Sequence, residues 1–132
     1  METFTESQLA YLNGERRLAR LATADENGRP HVTPVGMWRY NEEQGTIDIG
    51  GHDLAATKKY RNVKANPQAA LVVDDLASLD PWHPRAVMVQ GPAAVVNEDG
   101  HALIRIQPDK VLSWGVGDAQ VEQILEPLTE PG

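Results

Sequence analysis

GTIDIGGHDLAATKKYRNVKANPQAALVVDD, residues 45–75, changes its hydrophobic period twice. Ile47 and Ile49 alternate with polar neighbours, so the stretch opens as a strand with one apolar face. From about Leu54 to Ala65 the period becomes helical: Ala56, Tyr60 and Val63 fall at i, i+4 and i+7, with Lys58, Lys59, Arg61 and Asn62 off that stripe. Asp53 is placed as the N-cap. Asn66-Pro67 ends the helix, because proline disfavours the helical conformation of the residue before it. The following AALVVDD reads as a buried strand. Strand, basic helix, strand is the unit around which the rest is arranged.

Upstream, Thr5-Glu6-Ser7-Gln8 ahead of Leu9 and Leu12 predicts a short helix with Thr5 as N-cap, Gln8 closing a capping box and Gly14 beyond its end. RLARLATA and HVTPVGMWRY alternate around Asp25-Glu26-Asn27-Gly28, a hairpin signal. Pro34 and Gly36 in the second run predict an edge, a bulge or a close backbone approach to a ligand. A turn at Asn41–Gly45 leads into TIDIGG. Downstream, PRAVMVQGPAAVV reads as a long strand broken at Gly91-Pro92, and ALIRI and KVLSWGV as two more. The expected fold is mainly β within the α+β class: six to seven mostly antiparallel strands, a short N-terminal helix and one central helix, as a small barrel or sheet. Residues 1–132 are read as one domain. In this reading 118–132 are a tail that starts with a helical turn or two and frays at Pro127 and Pro131.

The charge is uneven. The chain holds 12 basic and 19 acidic residues, for a net charge of −7. No acid lies between Asp53 and Asp74, where Lys58, Lys59, Arg61 and Lys64 gather. A pI near 5.0 argues against a general nucleic-acid binder, whose phosphate affinity needs broad positive charge. The basic window therefore predicts a small anionic partner. There is no cysteine, which excludes disulfides and thiolate metal sites. No metal is expected, because the four histidines lack ligand spacing. METFTESQLAYL has neither the basic nor the long apolar region of a signal peptide, so a cytoplasmic protein without a membrane partner is expected. No GxSxG elbow and no GxGxxG or Walker loop is present.

The order of capped helix, hairpin, GTIDIGG, basic helix ending in NP, ALVVDD, PRAVMVQGPA and IRIQPDKVLSWG resembles the split β-barrel superfamily of pyridoxamine 5′-phosphate oxidase-like flavin and deazaflavin proteins. The resemblance covers residues 5–117. The compact form, with GHDLAATKKYRNVKANPQAALVVDDLASLDPW, is similar to short actinobacterial reductases that use coenzyme F420, among them one acting late in oxytetracycline-type biosynthesis. It implies a homodimer with the cofactor in a groove between subunits, and a reductase acting on a small-molecule substrate. FMN in the same groove, or a non-catalytic cofactor-binding protein, are the alternatives. The chain ends without the arginine-bearing segment of enzymes that act on the vitamin, so vitamin oxidation is not expected. NEDGH stands where longer relatives insert helices.

The resemblance also assigns residues. Lys58 and Lys59 would meet the cofactor's phosphate, with Arg61 and Asn62 beside them and Lys64 contributing least. Pro34, Val35, Gly36, Gly50 and Gly51 would form the floor under the tricyclic ring, next to His52. Trp82 and Arg85 would approach the partner subunit's cofactor. Met37, Trp38 and Trp82 would border the substrate. His31 and His101 are expected to be exposed, and Trp114 to pack in the core or at the dimer interface. No catalytic acid or base is nominated.

Overall fold

The computed structural model describes residues 3–117 and the backbone of 121–124. It begins with α1 (Glu6–Asn13), closed by the expected capping box: Gln8 N donates to Thr5 Oγ1 at 3.1 Å, and Thr5 N donates to Gln8 Oε1 at 2.8 Å. The amide of Gln8 also reaches Ser113 Oγ at 2.9 Å. One residue thus caps the helix and fastens it to the sheet.

Strands β1 (Ala19–Ala24) and β2 (Pro30–Val35) form the expected hairpin. Asp25 organises its turn, its Oδ1 accepting from the backbone N–H of Asn27 and Arg29, both at 2.9 Å. The run read as a single second strand is divided. β2 stops at Val35, and after a corner at Gly36-Met37 the chain restarts as β3 (Trp38–Asn41), which pairs with β4 (Thr46–Ile49) instead of β1. Burial drives the division: Trp38 is sunk into the core, its Nε1 donating to the Arg17 carbonyl at 2.8 Å.

The central helix is also shorter than its pattern. Leu54–Ala56 form a 3-10 turn, and α2 covers only Lys58–Ala65. Asp53 sits in the left-handed region (φ 55°) and makes no side-chain cap. Thr57 is extended and takes the N-cap, its Oγ1 accepting from Tyr60 N at 3.3 Å while donating to Leu54 O at 2.6 Å. Ala56 is consequently exposed, and the inward side is made by Leu54, Asn62 and Val63, with Tyr60 half-buried.

The remaining strands are β5 (Gln68–Ser78), β6 (His83–Glu98), β7 (His101–Ile106), β8 (Lys110–Trp114) and β9 (Val121–Ile124). Within the tail, residues 121–124 pair as a strand against β8 and not as a helical turn; residues 118–120 and the fraying expected at Pro127 and Pro131 lie outside the described residues. The divided second run and β9 raise the six to seven expected strands to nine among the described residues. All pairs are antiparallel, in the order β2-β1-β5-β6-β7-β4-β3, with β8 and β9 branching from β6. This is the mainly β, split-barrel architecture expected.

β6 is its spine. Residues up to Pro92 pair with β5 and β8, and those from Ala93 pair with β7, so the strand is bent at Gly91-Pro92 but not broken. A Cβ at Gly91 would overlap the carbonyl oxygen of Gln107. That carbonyl cannot swing aside, because Gln107 N bonds Pro92 O at 2.8 Å and Asp109 N bonds Gln90 O at 2.9 Å. Gly91→Ala is therefore expected to cost about 3 kcal/mol, read as a lower urea midpoint; an unchanged midpoint would show that the bend tolerates a side chain. Inside the bend, Leu21, Leu71, Val87, Val89 and Val111 from one side meet Ile47, Ile49, Ile104 and Ile106 from the other.

Candidate functional site

α2 presents its charges as its period demands. Lys58, Arg61 and Lys64 are exposed and Lys59 is half-buried. Lys58 and Lys59 make no hydrogen bond or ion pair with another described residue; the Asp25 carboxyl is held below its ordinary range first by the backbone N–H of Arg29, then by that of Asn27, and last by the charges of Arg29 and Lys58. Arg61 is steadied by a 3.1 Å bond from Nη1 to Ala56 O, and Lys64 Nζ lies 5.8 Å from the Tyr60 ring centre. Asn62 departs from expectation. It is 4% exposed, and its Nδ2 donates to Thr23 Oγ1 at 3.1 Å, fastening α2 to β1. A buried amide already bonded to the sheet is not offered to a ligand.

The two segments expected to form a floor do meet. Gly50 N donates to Met37 O at 2.7 Å, and register sets Trp38 opposite Ile49. A Cβ at Gly36 would find only a Leu18 methyl, and one at Gly50 or Gly51 only ordinary contacts. Unlike Gly91, these glycines are not demanded by the chain's own packing. Pro34 is exposed, whereas Val35 turns its side chain into the core. Among the described residues β2 is an edge strand paired only with β1, so one side of its backbone is open to form hydrogen bonds. His52 is exposed between this floor and α2.

Beside the floor lie two cavities of about 590 Å³ and 400 Å³, which share Met37, Arg39, Gly50 and Leu103. The larger extends over Leu54, Ala55 and the β6–β7 hairpin at 98–103, and the smaller reaches Arg16 and Gly36. Neither is lined by Lys58, Lys59, Trp82 or Arg85.

Trp82 is 68% exposed on the β5–β6 connection. Arg85, expected to face a partner's cofactor, is bonded within this chain by Asp75: Nε–Oδ1 is 2.8 Å and Nη2–Oδ2 is 2.6 Å. Arg17 Nε donates to the same carboxylate at 2.8 Å, and Tyr11 Oη at 3.0 Å. These donors, Arg85 first, hold the Asp75 carboxyl far below the usual carboxylate range, while burial and the Asp75 bond push the Tyr11 hydroxyl up. His101 is exposed as expected and Trp114 is half-buried. His31 is half-buried rather than exposed, and its Nδ1 is sealed from solvent without a hydrogen-bond partner.

Sequence reading passed over the charges behind the cleft. Register aligns Arg39, Asp48 and Arg105 across β3, β4 and β7. Asp48 is 1% exposed and accepts four bonds of 2.8–2.9 Å, from Asn41, Thr46 and both Nε and Nη2 of Arg105. Burial raises its carboxyl, but these donors outweigh it and the net shift is downward. The only sequence signal was the alternation itself, which puts Asp48 opposite Ile47 and Ile49 and Arg39 opposite Trp38.

Residues 4–115 match the family described as Pyridoxamine 5'-phosphate oxidase. The chain is 37% identical over 121 residues to the 5a,11a-dehydrotetracycline/5a,11a-dehydrooxytetracycline reductase of Streptomyces rimosus, covering 86% of this chain and 84% of that protein. Among solved structures, a conserved hypothetical protein from Mycobacterium tuberculosis superposes with a TM-score of 0.68 at 19% identity, over 98% of this chain and 92% of that one. A structure titled F420 Reductase superposes with a TM-score of 0.60 at 20% identity, over 77% of this chain and 94% of that one. Among the described residues no helix is long and apolar enough to cross a membrane.

Proposed function

This chain belongs to the pyridoxamine 5'-phosphate oxidase family, and from that premise we propose that it is an oxidoreductase, a reductase dependent on coenzyme F420. The observation that carries the reading is the 37% identity, over most of both chains, to a protein named as a reductase. The residues present fit the cofactor. Lys58 and Lys59 offer uncommitted ammonium groups for a phosphodiester, and Arg61 offers a planar fork for phosphate or for the glutamate carboxylates that follow it. The open backbone edge of β2 and the bare surfaces of Gly36, Gly50 and Gly51 accept the ring and its polar margin. A reduced deazaflavin held there would supply the hydride for an electron-poor C=C or C=N bond of a small organic substrate. Met37 and Leu103 wall the adjoining cleft with apolar surface, which orients a substrate and thins the water around it. A second copy of the chain completes the groove in this reading, a role supported by exposed Val32, Leu79 and Trp82.

Titration with F420 and, separately, FMN tests the assignment by fluorescence, with sedimentation reporting the dimer. F420 is expected to bind at about micromolar affinity or tighter and its reduced form to be consumed with an enone or quinone. Tighter binding of FMN, or copurification of a yellow flavin, would make this a flavin enzyme instead. Tight F420 binding with no turnover across such a panel would make it a carrier.

A further inference from the structure

We propose that the outer face of the β3–β4–β7 sheet receives a flat, largely apolar substrate through a single acidic oxygen, a carboxylate or an ionised enol, and that Arg39 is the residue that binds it. The proposal rests on the reductase reading and names the substrate class of that site.

Alternation along paired strands puts Met37 and Arg39, Asp48 and Gly50, and Leu103 and Arg105 on one face. The two cavities meet over these residues, and their volumes of about 590 Å³ and 400 Å³ are in the range of small-molecule sites. Met37, Leu54 and Leu103 supply broad apolar contact. A cation stands among them.

Arg39 is placed to act and is held by two long ion pairs alone among the described residues. Its guanidinium leans toward Asp48 Oδ2 at 3.8 Å and Glu98 Oε1 at 4.0 Å, too far for hydrogen bonds. Both acids are already bonded by Arg105. The side chain stays 59% exposed and donates no hydrogen bond to another described residue. An incoming carboxylate or enolate therefore gains two guanidinium donors without displacing an existing bond. Arg16 adds positive charge at the far end, anchored to Gly36 O at 2.5 Å and over the Trp38 ring at 4.7 Å. Asp53, Glu98 and Asp99 edge the larger cavity and oppose a doubly charged group such as phosphate. These acids disfavour a dianion more than a monoanion.

The test compares naphthoate, a flat carboxylate, with uncharged naphthamide by fluorescence titration of the full chain, with F420 titrated in parallel. The wild type is expected to prefer the carboxylate. Arg39→Gln is expected to weaken naphthoate at least about tenfold, leaving naphthamide and F420 unchanged, and Arg39→Lys to restore part of the loss. Glu98→Gln, which removes a competing negative charge, is expected to tighten naphthoate. Equal binding of the two probes by the wild type, or unchanged naphthoate binding in Arg39→Gln, overturns the proposal. So does a parallel loss of F420, which would assign Arg39 to the cofactor. If the wild type binds no F420 while naphthoate still depends on Arg39, the reductase reading falls and the anion site stands.

Discussion

A Lys58→Ala, Lys59→Ala double variant is expected to bind F420 about 100-fold more weakly than the wild type while unfolding at the same temperature. Both ammonium groups lie at the start of α2, and neither is engaged in a hydrogen bond or ion pair with another described residue. Removing them deletes attraction for a phosphate without leaving a buried charge unpaired. The N-terminal end of the helix adds its own partial positive charge, so the alanine variant keeps a residual anion preference. Added salt should weaken the wild type more than the variant, because the lost charges, one exposed and one half-buried, are within reach of solvent ions. Lys64→Ala, at the other end of α2 and against Tyr60, should change binding little. If the double variant binds F420 as tightly as the wild type, the basic helix is ordinary solvated surface and the phosphate lies elsewhere.

Asp48→Asn is expected to cost about 3–5 kcal/mol of folding stability at neutral pH. The new amide preserves shape but not charge, and sets a donor against donors of Arg105, Asn41 and Thr46. Among the described residues Arg105 keeps Glu98 as its charged partner, and Arg39 loses one of its two counter-charges. The carboxyl of Asp48 is lowered in the fold, so its contribution is complete above the unfolded value of about 4 and disappears as pH falls through the folded value. Asparagine has no such dependence. Urea midpoints should therefore differ widely at neutral pH and converge in acid; a gap that stays constant would show that shape, not charge, holds the cluster together.

Local physics made much of this chain readable. The capping box of Thr5 and Gln8, the Asp25 turn and the β strands flanking the basic segment follow from neighbours a few positions apart, and so does the outward display of Lys58, Arg61 and Lys64. Where the reading failed, a distant contact had won. Thr57 displaced Asp53 as cap because the chain first makes a 3-10 turn that buries Leu54. Asn62 turned inward because Thr23, on another strand, offers its amide an acceptor.

The cleft marks the division most clearly. Period and charge alone set a β-rich barrel with one basic helix, because hydrophobic burial and helix geometry repeat along the chain itself. Whether Asp48 is a surface carboxylate or a sealed counter-charge, and whether Arg39 is solvated or poised over a cavity, depended on which strands came to lie side by side. Electrostatic energy depends on distance in space and on exclusion of water, and pairing between strands far apart in the chain decides both.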